Sequence, residues 1–318
     1  MNIGELKTLA DNIRGEVAKA IVGQEETVDH LLIALFSSGH VLLEGPPGTA
    51  KTFLAQCFAA TLDLDFGRIQ FTPDLMPGDI VGSNLFNFQT SSFTLTRGPI
   101  FCDLLLGDEI NRTPPKTQAA MLEAMQERSV TIDGETHALS PQFMVVATQN
   151  PIEQQGVYPL PEAQLDRFLF KLLIEYPQAE QEKQIVSRYG ERIGAPTPSD
   201  FGIKPMANKE VLAGAAEAVK SVKLVEEVVD YIVRLVRATR ETADLENGAS
   251  PRAAIMLATA ARSRAAINGR DYVVPDDVKS LAPAILRHRT LLSPAAEIEG
   301  RQVDAIVEAL VERTEAPR

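Results

Sequence analysis

The chain has 318 residues, of which 45% are hydrophobic and 23% charged. That length and balance exclude a mainly disordered, collagen-like or mucin-like chain, and leave one large domain or two moderate ones with a sizeable core. With 43 acidic and 31 basic residues the net charge is −12, so the chain is a poor general binder of nucleic acid or anionic membrane unless a local basic patch overrides the mean.

The N-terminal 23 residues read as an amphipathic helix carrying Glu5, Lys7, Asp11, Arg14 and Glu16, without the uninterrupted apolar core of a signal peptide. No apolar run reaches the roughly 20 residues that span a bilayer. Short leucine-rich or β-branched runs at 41–44, 68–71, 101–106, 143–148 and 168–174 each fit a buried strand, and helical patterns alternate with them. Such alternation predicts an α/β fold with a parallel sheet covered by helices. Between the second and third runs, 85–88 and 93–96 flank the polar turn QTSS and read as an inserted hairpin. A second hairpin is expected over 129–139, where Asp133-Gly134 suits a tight primed turn. Taken alone, both are ordinary surface hairpins.

Near Tyr176-Pro177 the character changes, and strand signals disappear. Residues 194–205 form an irregular connection. Leu224, Val225, Val228, Val229, Ile232, Val233 and Val236 keep helical spacing and predict one apolar face. Ser250-Pro251 marks an N-cap and first-turn proline, and Gly269 is placed to end that helix. Pro275 opens another helix, which Pro283 should break or kink. The reading is a core over 1–177, with hairpins near 84–97 and 129–139, and a small all-α domain over 178–318. Cys57 and Cys102 lie in apolar surroundings, and the four histidines are scattered. Neither pattern has zinc-site or redox-pair spacing, which points to a reducing compartment, the cytoplasm.

The strongest local signal is Gly45-Pro46-Pro47-Gly48-Thr49-Ala50-Lys51-Thr52, between the first strand and a helix over 52–60. Strand, glycine-rich turn and helix is the setting of a phosphate-binding loop. Backbone N–H groups of such a turn form an anion nest, and the helix N-terminus adds partial positive charge. Lys51 places a point charge on the β- and γ-phosphates of a nucleotide, and the Thr52 hydroxyl can ligate Mg²⁺. Glycine usually precedes the lysine, and here Ala50 does. Alanine is harmless there if the position is helical and costly if it needs positive φ.

A second signal is Gly107-Asp108-Glu109, at the end of an apolar strand. Adjacent carboxylates in that place are unfavourable unless a cation or substrate uses them. Asp108 suits Mg²⁺, directly or through water. Glu109 suits an attacking water, as orienting group or base. Asn150, behind the run 143–148, is placed to orient that water or touch the γ-phosphate. Arg167, just before the fifth strand, reads as a salt-bridged surface arginine or as a finger reaching a neighbouring subunit's γ-phosphate. Arg252 sits in the first turn of a helix, where a cation costs up to about 1 kcal/mol. A phosphate ligand would offset that.

These segments together resemble the MoxR-type AAA+ ATPases. The resemblance runs along IVGQEETVDHLLIAL, GHVLLEGPPGTAKT, FTPDLMPGDIVG, RGPIFCDLLLGDEINRTPPKTQAAMLEAMQE, VVATQNPIEQQGVYPLPEAQLDRFLF, GASPRA and LRHR. It implies an αβα sandwich with a five-stranded parallel sheet in the order 5-1-4-3-2, followed by a helical lid. It makes 45–52 the Walker A loop, Asp108 and Glu109 Walker B, Asn150 sensor 1, Arg167 the arginine finger and Arg252 sensor 2, in cis or in trans. It places Val22, Gly23 and Gln24 beside the adenine. The two hairpins match the helix-2 insert and the pre-sensor-1 hairpin. ATP and Mg²⁺ are the implied ligands, with Thr52 and Asp108 on the metal. A ring is implied, most simply a hexamer, acting chaperone-like on protein clients, often with a von Willebrand factor A-type partner. The rival readings are a DNA-remodelling motor, a sigma-factor-dependent activator and a nucleotide-gated scaffold with little turnover. The net charge weighs against the first, the missing Gly-Ala-Phe-Thr-Gly-Ala loop against the second, and intact Glu109, Asn150 and Arg167 against the third.

Overall fold

A computed structural model of the chain describes residues 1–87, 91–151, 156–191 and 193–317. In chain order the first half carries α1 (Ile3–Ala18), α2 (Glu25–Phe36), β1 (Val41–Glu44), α3 (Lys51–Ala60), β2 (Leu62–Asp63), β3 (Phe66–Gln70), α4 (Pro77–Val81), β4 (Gly82–Asn87), β5 (Ser92–Arg97), β6 (Leu104–Asp108), α5 (Pro115–Glu127), β7 (Ser129–Ile132), β8 (Glu135–Ala138), β9 (Met144–Gln149), α6 (Glu162–Leu165) and β10 (Phe170–Leu173). Five of these strands pair in parallel in the order β10-β1-β9-β6-β3. Numbered along the chain, that order is 5-1-4-3-2. Side chains alternate between the two faces of a strand. Val41 and Leu43, Leu104 and Leu106, and Met144 and Val146 therefore bury on one face, while Leu42, Leu105 and Val145 bury on the other against Met121, Leu122 and Met125 of α5. The register aligns the carboxyl ends: Glu44 is level with Gln149, and Gln70 with Asp108. Polar side chains thus collect along one edge of an otherwise apolar sheet, where ligands bind in open parallel sheets.

Both inserted hairpins form. β4 and β5 pair from Gly82–Arg97 to Asn87–Ser92; the expected Phe88, Gln89 and Thr90 lie outside the described residues. β7 and β8 close through Asp133 and Gly134, both at positive φ, which is the conformation a tight primed turn requires. The two hairpins touch where the Asn84 amide donates to Asp133 at 2.9 Å.

Beyond the core follow α7 (Ala179–Tyr189), β11 (Ala207–Asn208), α8 (Lys209–Lys220), α9 (Glu226–Glu241), β12 (Leu245–Asn247), α10 (Pro251–Ile267), α11 (Pro275–Leu286), β13 (Leu291–Leu292), α12 (Pro294–Ile298) and α13 (Val303–Arg313). Four expectations need correction here. Short strands persist after Pro177: β11 pairs with β2 of the core, and β12 with β13. Of the break or kink expected at Pro283, the break does not occur: the helix runs on to Leu286 with Pro283 inside it. The apolar face of Val278, Leu281, Ala282 and Ile285 is fully buried and packs α11 on α10. That packing outweighs the lost hydrogen bond, worth about 3 kcal/mol with the ring clash. The valine face of α9 is also divided. Val228, Ile232 and Val236 are buried together with Tyr231 and Leu235, but Val225, Val229 and Val233 are 39–49% exposed. Ser250 does stand at the N-cap of α10, yet its side chain makes no capping bond. Gly269, at φ +78, follows the C-cap of α10 as expected.

The helical half and the core share one apolar cluster, in which Leu257, Ala261, Leu281 and Ile285 join Leu6, Ile13, Leu31 and Phe170. Polar ties reinforce the seam. Lys209 Nζ, at the start of α8, reaches Asp103 at 2.8 Å and Asp65 at 3.2 Å. Arg287 donates to the carbonyl of Lys171 at 3.0 Å, and His288 Nε2 lies 3.1 Å from that of Phe168. The LRHR segment therefore covers carbonyls in and just before β10, the edge strand of the sheet.

Candidate functional site

β1 ends at Glu44, and the chain turns through 45–50 into α3. Gly45 is needed for space, because a Cβ there would overlap the carbonyl of Ile174. Gly48 is needed for conformation: its φ is +82, and nothing crowds it. Ala50 stands at φ 59 and ψ 23, left-handed, at the N-cap of α3. This position is therefore the one where alanine is costly. α3 has no side-chain cap and no acid in its first turn, so its first N–H groups face the turn as an uncompensated positive end. Lys51 donates to the carbonyls of Gly45 and Pro46, both at 2.7 Å. Burial lowers its pKa, and the charges of Asp108 and Glu109 offset that only in part. The Thr49 hydroxyl donates to the Pro46 carbonyl at 2.9 Å, drawing the loop together.

Opposite stands the end of β6. Asp108 is buried, and its Oδ1 accepts from the hydroxyls of Thr52 at 2.8 Å and Thr148 at 2.7 Å. Its Oδ2 lies 3.0 Å from Arg68. Glu109 has φ 57, an uncommon state for a non-glycine residue. Its N–H donates to Thr148 Oγ1 at 2.9 Å, and its Oε2 accepts from Gln70 at 2.9 Å and meets Arg112 Nε at 3.1 Å. Asn150 is buried beside them, and its backbone carbonyl accepts from Asn111 at 3.0 Å. Pro47, Gly48, Thr49, Ala50, Lys51, Thr52, Asp108, Glu109 and Asn150 surround one cavity of 290 Å³.

A second cavity of 240 Å³ shares Gly48, Thr49, Ala50 and Phe53 with the first, and is walled by Ile21, Val22, Gln24, Pro177, Ile185 and Tyr189. Its wall is mainly apolar, as a flat heterocycle requires. Gly23, at φ +72, turns the Val22–Gln24 segment under Gln181 of α7, whose side chain a Cβ would strike. α7 has no buried residue. It hangs on polar contacts with the end of α1: Arg188 donates to the carbonyls of Ala18 at 3.2 Å and Lys19 at 3.1 Å, and the Tyr189 hydroxyl donates to that of Ala20.

Arg167 and Arg252 lie elsewhere; neither lines either cavity. Arg167 shares a separate cleft with Glu123, Gln126, Glu127 and Gln164, and donates to the carbonyl of Leu122. Arg252, 45% exposed, meets Asp166 at 3.5 Å. Both therefore stand at the 166–167 turn, outside the two cavities above.

The description "ATPase family associated with various cellular activities (AAA)" matches residues 40–170, and "AAA lid domain" matches residues 237–310. The chain is 42% identical to Chaperone MoxR1 of Mycobacterium tuberculosis, over 95% of this chain and 81% of that one. It is 44% identical to the uncharacterized protein YeaC of Bacillus subtilis, over 95% and 92%. This chain belongs to the MoxR-type AAA+ ATPases. A crystal structure of a proposed ATPase from Cytophaga hutchinsonii superposes with a TM-score of 0.89 at 39% identity, covering 99% of this chain and 97% of that one. The expected family and the AAA+ sandwich with its lid are thereby met.

For a MoxR-type site, the donor set fits Mg²⁺. Among the described residues no group of three or more His, Cys, Asp or Glu side chains converges on a metal position. The cavity offers the Asp108 carboxylate joined to the Thr52 hydroxyl, with Thr148 on the same carboxylate oxygen and Glu109 beside them. Mg²⁺ is usually held by one or two such groups together with phosphate oxygens and water. Sequence reasoning missed Arg68, Gln70, Thr148, Arg112 and Asn111. Gln70 and Thr148 carried a usable signal, since each is a polar residue at the carboxyl end of an expected strand. Arg112 and Asn111 had none, because their partners are set by the turn that follows Glu109. Among the described residues no helix is long and apolar enough to cross a membrane.

Proposed function

We propose that this protein binds and hydrolyses Mg-ATP, in sites completed between copies of the chain. The observation that carries the reading is the cluster Thr52–Asp108–Thr148–Glu109 facing the loop 45–52, with Arg167 and Arg252 outside the cavity that this cluster lines. Loop N–H groups and Lys51 hold the phosphates. The adenine enters the apolar cavity between Val22, Gln24, Ile185 and Tyr189. Thr52 and Asp108 would hold Mg²⁺, which neutralises phosphate charge when bound. Glu109 takes the proton of the attacking water, or orients it, and Asn150 fixes that water's position. Arg167 and Arg252 of a neighbouring copy neutralise charge that develops on the transferred phosphate. Both arginines are assigned to the neighbour because neither lines the cavity of its own chain's 45–52 loop, and Asp166, the residue before Arg167, ties Arg252 to the same turn. A head-to-tail site of this kind gives a closed ring where the rotation between copies closes, and a hexamer is the ring we infer from family membership. Chaperone-like work on protein complexes, with a von Willebrand factor A-type partner in the cytoplasm, is the biological role we infer. It rests on family membership. Glu109→Gln should bind Mg-ATP with unchanged affinity and lose about 10²-fold or more in turnover. Turnover near wild type in that variant would remove Glu109 from its role.

A further inference from the structure

One buried cation belongs to neither cavity. Arg289, at the end of LRHR, is 2% exposed in the seam between the helical half and the core. Its Nε donates to Asp166 Oδ1 at 2.7 Å, and one of its terminal nitrogens donates to the carbonyls of Asp166 at 2.9 Å and Phe168 at 2.5 Å. The other donates to the carbonyl of Ile285, in the last turn of α11. Arg289 thus grips the backbone on both sides of Arg167. The second oxygen of Asp166 meets Arg252, from the first turn of α10. Two residues of the helical half and one of the core are joined through a single carboxylate.

A buried guanidinium with this many acceptors is far more constrained than stability requires, since an apolar side chain of similar volume serves a seam as well or better. Planar, forked donors do what apolar packing does not: they fix direction. We propose that Arg289 and Asp166 are positioning residues, which set the backbone at Arg167 and the guanidinium of Arg252 as one rigid pair directed at the nucleotide of a neighbouring copy. The proposal rests on the in-trans reading above. It adds that the LRHR segment of the helical half determines where a core arginine points.

The test is subunit mixing. Arg289→Lys keeps the charge but not the fork, so it should lower kcat by about tenfold or more, while affinity for a fluorescent ADP stays within about twofold. Its own ATP site is intact, and its arginine face is not. Glu109→Gln subunits are the reverse. In a random one-to-one mixture about one quarter of the interfaces pair an intact site with an intact arginine face, so activity should return to as much as about a quarter of the wild-type rate. Asp166→Asn, at a carboxylate that is 27% exposed, should behave alike and covers the case of an Arg289 variant that does not fold. Arg167→Ala is the control. If Arg167→Ala is complemented by Glu109→Gln but neither Arg289→Lys nor Asp166→Asn is, the positioning role is wrong and the in-trans reading stands. If none is complemented, the in-trans reading itself fails. Wild-type kcat in both positioning variants also overturns the proposal.

Discussion

Replacing Ala50 by glycine tests the geometry of the phosphate loop. Ala50 sits at φ 59 and ψ 23, where a Cβ crowds the following carbonyl and costs about 1–2 kcal/mol. Glycine removes that strain but gives the unfolded chain more freedom, which takes back roughly 0.4–1 kcal/mol. The net expectation is a gain of about 0.5–1 kcal/mol. For a chain of this size that amounts to about 1–3 °C in Tm. Ala50→Val should move the other way by several degrees, because a β-branched residue at positive φ is a genuine outlier. Thermal unfolding of the three proteins, without nucleotide and at one concentration, is sufficient. If the glycine variant is less stable than wild type and the valine variant is tolerated, residue 50 is helical in solution and the cradle is not shaped as described here. On the proposed reading, the loop bears strain at Ala50 where an anion nest would need its N–H groups turned inward.

Gln70→Ala removes a 2.9 Å bond to Glu109 Oε2 and should lower kcat about tenfold, the value of one charge-assisted hydrogen bond, with ADP affinity unchanged; a loss confined to nucleotide binding would contradict a role on Glu109. Gly45→Ala drives a Cβ into the carbonyl of Ile174 and should abolish binding at ADP concentrations that saturate wild type, so retained affinity would show that the loop can shift away. Acid should destabilise the protein through His40, whose buried ring accepts the Val145 N–H at 2.9 Å and whose pKa burial lowers to about 4. The unfolded chain takes up that proton near pH 6.5 and the folded chain only near 4, so stability is lost as pH falls through that window, by roughly 2 kcal/mol between pH 7 and 5. Denaturant titrations at the two pH values should show His40→Gln losing less than wild type; equal losses would assign the acid limb to other groups.

The parts of the site that could be read in advance are those held within one strand–turn–helix unit. The 45–52 loop and Asp108-Glu109 each combine residue type with a strand end, and parallel pairing then brings them together. Gln70 had a signal, a polar residue at a strand end, but not its partner, because Glu109 is reached across strands; Arg112 had none, because it meets Glu109 around a turn that no periodicity encodes. The valine stripe of α9 shows a different limit. Helical spacing reveals that a face is apolar, but not how much of it a neighbour covers; Val225, Val229 and Val233 lie beyond that cover. Pro283 does not break α11 for a related reason: a proline's local effect competes with the packing of α11 on α10, which the local sequence does not show. The LRHR segment was legible as a string and silent as chemistry, because its acceptors are carbonyls more than a hundred residues away in sequence.

The measurement closest to the central claim is Mg-ATP hydrolysis per subunit as a function of protein concentration, with Glu109→Gln as the blank and sizing at each concentration. Completion of sites between copies predicts that specific activity rises with concentration and levels off where the ring is fully assembled. A constant, non-zero rate carried by a species that sizes as a monomer would contradict it, and would mean that each chain hydrolyses ATP without a neighbour's arginines.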